Sequence, residues 1–205
     1  MTEIARRHLV MPHLQPGMTV GLFGGSFNPP HEGHLLVAKL ALQRLGLDQL
    51  WWLVTPGNPL KSGNGLAPLA ERLAHSDTMA GDPRIRVTAI EKTLGTAYTA
   101  RTIRHIIRRN PAVHFVWIMG ADNLGDFHRW QEWRRIAATV PIAVIDRPGA
   151  TLTYLSSKAA RALDKARVPE RAARALPRMK PPAWTFIHGP RSAISSTALR
   201  QESKR

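Results

Sequence analysis

Apolar positions along this chain follow two patterns that alternate. Short apolar runs stand at Met18–Phe23, Leu50–Val54, 113–120 (VHFVWIMG) and 141–149 (PIAVIDRPG), with shorter ones at Arg84–Ala89 and Trp184–Ile187. Runs of this length with few charges predict strands buried on both faces. Between them, apolar residues recur at helical spacing over His34–Leu45, Leu69–Met79 and Thr99–Arg109. Gly46 supplies a stop for the first of these helices, and the third must end before Pro111. Ser195–Glu202 predicts a further helix with a serine cap. Strands that alternate with helices predict an α/β protein, with a mostly parallel sheet and helices on both faces. Trp51 and Trp52 are neighbours on a strand, so they point to opposite faces and are read as packing residues.

Composition narrows the class. With 205 residues and 43% hydrophobic content, the chain can bury a substantial core. Residues 1–17, closing on Pro16-Gly17, predict a flexible leader, and 18–205 a single domain. No apolar run approaches the ~20 residues that cross a bilayer, and no secretory signal precedes the first strand, so no membrane partner is expected. The absence of cysteine excludes disulfides and thiolate metal sites and points to a reducing cytoplasm. A formal charge of +15 would suit a polyanionic ligand. Much of that excess sits in residues 158–182, however, which read as an inserted basic helix and a Pro-rich linker. Nucleic acid is therefore not expected as the main partner. A homo-oligomer is compatible with the sequence.

Parallel sheets bind ligands outside the carboxyl ends of their strands. Four loops follow predicted strands and should meet at that rim: 24–34 (GGSFNPPHEGH), 55–61 (TPGNPLK), 119–130 (MGADNLGDFHRW) and 188–197 (HGPRSAISST). In the first, Gly24 and Gly25 let backbone amides approach a ligand, and Pro29 and Pro30 stiffen the turn. His31 and His34, three residues apart, can share a face at a helix start that favours an anion. The spacing fits neither G-x-G-x-x-G, nor the P-loop, nor the zinc motif H-E-x-x-H. Near the C-terminus, Ser195, Ser196 and Thr197 offer hydroxyls and helix-start amides, and Arg200 follows Thr197 on the same face. Together they can form a phosphate clamp.

GGSFNPPHEGH closely resembles the G-G-[ST]-F-[DN]-P-x-H-x-G-H signature of the nucleotidyltransferase superfamily with the H-x-G-H motif. ISSTALR, at Ile194–Arg200, is similar to the I-S-S-T-x-[IL]-R triphosphate loop of its nicotinate-nucleotide adenylyltransferase branch. MGADN lies between the two, and the likeness runs over roughly residues 18–204. The resemblance implies a Rossmann-like nucleotidyltransferase fold and transfer of the adenylyl group of ATP to nicotinate mononucleotide. The acceptor phosphate would attack the α-phosphate directly, without a covalent enzyme intermediate. Such a reaction needs no strong base, because a phosphate monoester is mostly dianionic at neutral pH. It needs two polyanions aligned and the charge on the α-phosphate and pyrophosphate stabilised.

On this reading His31, His34 and Arg200 are catalytic. ATP is held by Gly24, Gly25, Ser26, Phe27, Gly33, His34, Gly120, Asp122, Ile194, Ser196, Thr197 and Arg200. Asp122 is placed to meet the ribose. The acceptor falls to Lys61, to the loop with Gly95, Thr96 and Tyr98, and to Trp130, whose ring would stack on the pyridinium. Where the family more often has Pro-Ser-Tyr or Ser-Tyr, this chain reads Thr96-Ala97-Tyr98. Mg²⁺ is implied with ATP and would be held mostly through substrate oxygens and water, with no protein metal ligand named. Nicotinamide mononucleotide carries the same ring and phosphate, so carboxylate against amide stays open here. Phosphopantetheine and alcohol-phosphate acceptors are the next rivals.

Overall fold

The computed structural model describes residues 3–57, 65–146 and 154–189. Six strands form one sheet: β1 (Thr19–Gly25), β2 (Gln49–Val54), β3 (Ile85–Thr88), β4 (His114–Gly120), β5 (Ile142–Ile145) and β6 (Trp184–Ile187). Their order is β3-β2-β1-β4-β5-β6, and every neighbouring pair is parallel. All carboxyl ends therefore lie on one edge. The order reverses direction between β1 and β4, and a crevice opens there in doubly wound sheets. The loops that begin after Gly25 and at Gly120 flank that crevice.

The apolar runs are strands because both faces are covered. On one face Leu22, Trp51, Phe115 and Trp117 pack with Ile103 and Ile106 of α5 (Thr99–Arg109) and Ile136 of α7 (Trp133–Thr139). On the other, Phe23, Trp52, Val116 and Ile118 pack with Val37, Ala41 and Leu45 of α2 (Glu32–Leu45) and Leu73 of α3 (Leu69–Ala80). Trp51 and Trp52 are both fully buried, one in each layer, as strand alternation requires. Three short helices complete the rim side: α4 (Ile90–Thr93), α6 (Ala121–Asp126) and, after β5, α8 (Lys158–Ala162).

Two segments differ from expectation. Residues 3–17 pack instead of hanging loose. A single-turn helix, α1 (Arg6–Leu9), brings buried His8 to Asp77 at 2.8 Å, and the His8 carbonyl accepts the Ala89 amide at 2.8 Å. Thr88 Oγ1 donates to the same carbonyl at 3.1 Å, so the leader lies against the outer strand of the sheet. Residues 158–182 form the connection from β5 to β6 and not a separate insertion. Ala159 and Ala160 of α8 pack into one core layer, while Ala173 and Leu176 of the 3₁₀ stretch Glu170–Arg178 pack into the other. Its arginines occupy the remaining positions, so the charge is the outer face of a packed crossover. The helix expected at Ser195–Glu202 lies outside the described residues.

Candidate active site

β1 ends in Gly24 and Gly25, where neighbouring rings leave little room for a side chain. A Cβ at Gly24 would stand 2.6 Å from Trp117 Cη2 of β4, and one at Gly25 3.0 Å from Phe27 Cε2. Close packing of rings against backbone demands glycine at position 24, before any ligand is considered. Phe27 takes a left-handed backbone (φ 45°), a strained state for a residue with a side chain. Its ring is fully buried, stacked on Trp52 with centroids 4.9 Å apart, and that burial holds the turn. Phe27 is thus the floor beneath the turn, with its side chain wholly taken up in packing.

On that floor stand the two histidines. His34 lies over Phe27 with ring centroids 4.7 Å apart, and His31 is 3.9 Å from His34. They cap α2 reciprocally. Gly33 N–H donates to His31 Nδ1 at 3.1 Å, and His31 N–H donates to His34 Nδ1 at 3.2 Å. A ring nitrogen that accepts an amide proton carries none itself, so each imidazole bears its proton on Nε2. The pair is therefore two neutral N–H donors, fixed in orientation by backbone amides and an apolar floor. Gly33 serves the cap through its amide. The sequence spacing placed these rings at a helix start, and the structure adds that they build that start.

Gly120 ends β4 and precedes α6, where exposed Asp122 occupies the first turn. Trp130 is half-buried, in T-shaped contact with Trp117 at 6.2 Å and Phe127 at 5.5 Å. In the 95–98 loop, Gly95 is left-handed (φ 59°) and its amide donates to the Lys92 carbonyl at 3.2 Å. The Thr96 amide donates to the Glu91 carbonyl at 3.1 Å, and the Tyr98 amide to Thr96 Oγ1 at 3.1 Å. The loop's amides thus hold its own shape, and the Tyr98 amide is the one paired with a rotatable hydroxyl. Lys61, Ile194, Ser196, Thr197 and Arg200 lie outside the described residues.

Three polar residues that the sequence did not single out brace this rim. Asn28 Nδ2 donates to the Gly65 carbonyl at 2.9 Å, and Asn28 Oδ1 accepts the Ala67 amide at 3.0 Å. Arg72 of α3 is fully buried and donates to three carbonyls, and burial pulls its guanidinium below the ordinary value. Glu91 of α4 accepts from Thr102 Oγ1 at 3.0 Å. Burial pushes its carboxyl above the ordinary glutamate value, against hydrogen bonds with Thr55 and Thr102 that pull it down.

The folded Glu91 carboxyl thus keeps its proton to a higher pH than the unfolded one. Stability falls as pH rises from the ordinary value of 4.5 through the raised folded value. Glu91→Gln removes that loss while keeping an acceptor for Thr102. In denaturant titrations the variant is more stable than the parent at neutral pH, and the advantage vanishes below pH 4.5.

Among the described residues no group of three His, Cys, Asp or Glu side chains could hold a metal ion. No helix among the described residues is long and apolar enough to cross a membrane.

Residues 22–202 match the cytidylyltransferase-like family model. A Rhizobium johnstonii protein named "Probable nicotinate-nucleotide adenylyltransferase" is 68% identical over 193 residues, covering 94% of this chain and 97% of its own. A Mesorhizobium japonicum protein of the same name is 64% identical over 194 residues, covering 95% and 100%. The chain belongs to the nicotinate-nucleotide adenylyltransferase family. Its fold also matches that of Plasmodium falciparum nicotinic acid mononucleotide adenylyltransferase complexed with NaAD. That match has a TM-score of 0.69 at 17% identity, covering 90% of this chain and 83% of that one.

Proposed function

We propose that the protein transfers the adenylyl group of ATP to nicotinate mononucleotide, giving nicotinate adenine dinucleotide and pyrophosphate for NAD synthesis in the cytoplasm. The observation that carries this reading is the reciprocal histidine cap at the carboxyl end of β1, beside the point where strand order reverses. It offers two oriented N–H donors and no nucleophile, which suits phosphoryl chemistry that runs on positioning and electrostatics.

In the reaction an oxygen of the acceptor phosphate bonds to the α-phosphorus as the bond to the bridging oxygen breaks. Pyrophosphate leaves with the electron pair. His34 Nε2–H donates to the α-phosphate as charge builds there, and His31 stands beside it on the β- or γ-phosphate. Backbone of Gly24, Gly25, Ser26 and Phe27 lines the phosphate path, and Gly120 and Asp122 receive the adenosine. Ile194, Ser196, Thr197 and Arg200 clamp the triphosphate end. Mg²⁺, when bound to the phosphates, neutralises part of their charge. Lys61 meets the acceptor phosphate, and Trp130 stacks on the pyridinium. The acceptor carboxylate takes the Tyr98 amide from the Thr96 hydroxyl, within the loop that Gly95 turns.

Direct attack inverts the α-phosphorus. With ATP carrying a chiral α-phosphorothioate, the dinucleotide product is formed with inversion. Retention would require a covalent enzyme intermediate and would refute the proposed step.

A further inference from the structure

Helix α5 has two unlike faces. Its inner face packs Thr102, Ile103 and Ile106 into the core, and its outer face carries Arg101, Arg104, His105, Arg108 and Arg109. These outer positions follow the i, i+3, i+4, i+7, i+8 spacing of a single stripe. They line a groove of about 570 Å³, and among the described residues no acidic, aromatic or aliphatic side chain joins them. Helix physics does not ask for such a stripe. Cations at i,i+3 and i,i+4 repel one another, where interleaved acids would attract. The helix dipole favours Arg108 and Arg109 in the last turn but disfavours Arg101 near the start, and the first turn holds no acid.

Little within the fold neutralises the stripe. Glu132 lies 3.7 Å from Arg104, but Arg135 holds the same carboxylate at 2.6 Å. Arg101 stands over the Tyr98 ring at 5.7 Å, a neutral partner. Among the described residues His105, Arg108 and Arg109 have no ion-pair partner. The groove is thus walled by guanidinium donors, which match phosphate oxygens bidentately. Arg101 and Arg108 are about 10 Å apart along the axis, and the groove falls in the ~300–1,000 Å³ range of small-ligand sites. With no ring or apolar wall, recognition rests on the phosphates and nothing reads a base.

We propose that the outer face of α5 is a binding site for a linear oligophosphate, a chain of three or more phosphates laid along Arg101, Arg104 and Arg108 with His105 and Arg109 beside them. Inorganic tripolyphosphate is titrated by calorimetry at low ionic strength into the parent, into Arg104→Gln/Arg108→Gln and into Arg161→Gln/Arg171→Gln. Arg161 and Arg171 are exposed on the crossover from β5 to β6, so the second variant removes the same charge from elsewhere. Tripolyphosphate taken up at the reaction site is common to all three proteins, and the difference between them reads the groove.

The parent should show a saturable site whose Kd rises on the order of tenfold or more in Arg104→Gln/Arg108→Gln, the scale of losing charge-assisted pairs. In Arg161→Gln/Arg171→Gln the Kd should stay within about twofold of the parent's, since screening confines each exposed charge to its own surroundings. A thermal melt checks folding, and Arg108→Gln/Arg109→Gln, which breaks no ion pair, replaces the first variant if that one does not fold. Equal affinity in the parent and the groove variant overturns the proposal. An equal loss in both variants overturns it too, because the binding would then follow net charge alone. A single-stranded oligonucleotide that binds through Arg104 and Arg108, where tripolyphosphate does not, also overturns it and gives this face to a nucleic-acid backbone.

Discussion

His34→Asn folds as the parent does and lowers kcat by on the order of 10²-fold or more, the loss found when a transition-state donor is removed. Asparagine is the informative replacement because His34 has two functions. Its Nδ1 accepts the His31 amide at 3.2 Å and so helps to start α2. The amide oxygen of asparagine can accept the same proton, but asparagine has nothing at the Nε2 position. The cap survives and the donor is lost. Alanine would remove both, and would strip the ring from its place over Phe27. Steady-state kinetics together with a thermal melt separate the two functions. Parent-like kcat in a folded His34→Asn variant would remove this ring from the chemistry.

Trp130→Ala raises the KM for nicotinate mononucleotide on the order of tenfold, the weight of a partly desolvated cation–π contact. Its effect on the KM for ATP is small. Trp130 follows the 3₁₀ turn Phe127–Arg129, and edge contacts with Trp117 and Phe127 hold its plane. The same Trp117 lies against Gly24 at the end of β1. One buried ring therefore supports both the end of β1 and the indole of Trp130. Trp130→Phe keeps a smaller π face and should recover part of the affinity. An unchanged acceptor KM in Trp130→Ala would place the pyridinium elsewhere.

The sheet was legible because parallel strands are buried on both faces, and such strands read as plain apolar runs. The paired tryptophans followed from strand alternation alone. Helices α6 and α7 left little trace, since six- and seven-residue helices carry no sustained period. Residues 158–182 misled through their charge. Ala159, Ala160, Ala173 and Leu176 do the packing, and small residues between arginines read as surface. The docking of residues 3–17 was not legible either, because it joins His8 to Asp77, far along the chain, and otherwise runs through backbone carbonyls of His8 and Leu9 that carry no sequence signal.

At the site, the signature loop named the histidines, but their reciprocal cap is a matter of geometry. Gly24 looked like an opening for a ligand, and the structure gives it a second reason in Trp117. Asn28 stands at the [DN] position of the signature, but its bonds to Gly65 and Ala67 carry no sequence signal. Arg72 and Glu91 could not be picked out, because each acts on chain segments distant in sequence, and a lone polar residue in a helix looks like solvated surface until its partners are known.

The most direct test is pyrophosphate release from Mg-ATP, with nicotinate mononucleotide and nicotinamide mononucleotide offered in parallel. Release with the acid, and much less with the amide, is the expected outcome, and it would show that the site reads the carboxylate. Folded protein that releases no pyrophosphate with nicotinate mononucleotide would refute the proposed reaction.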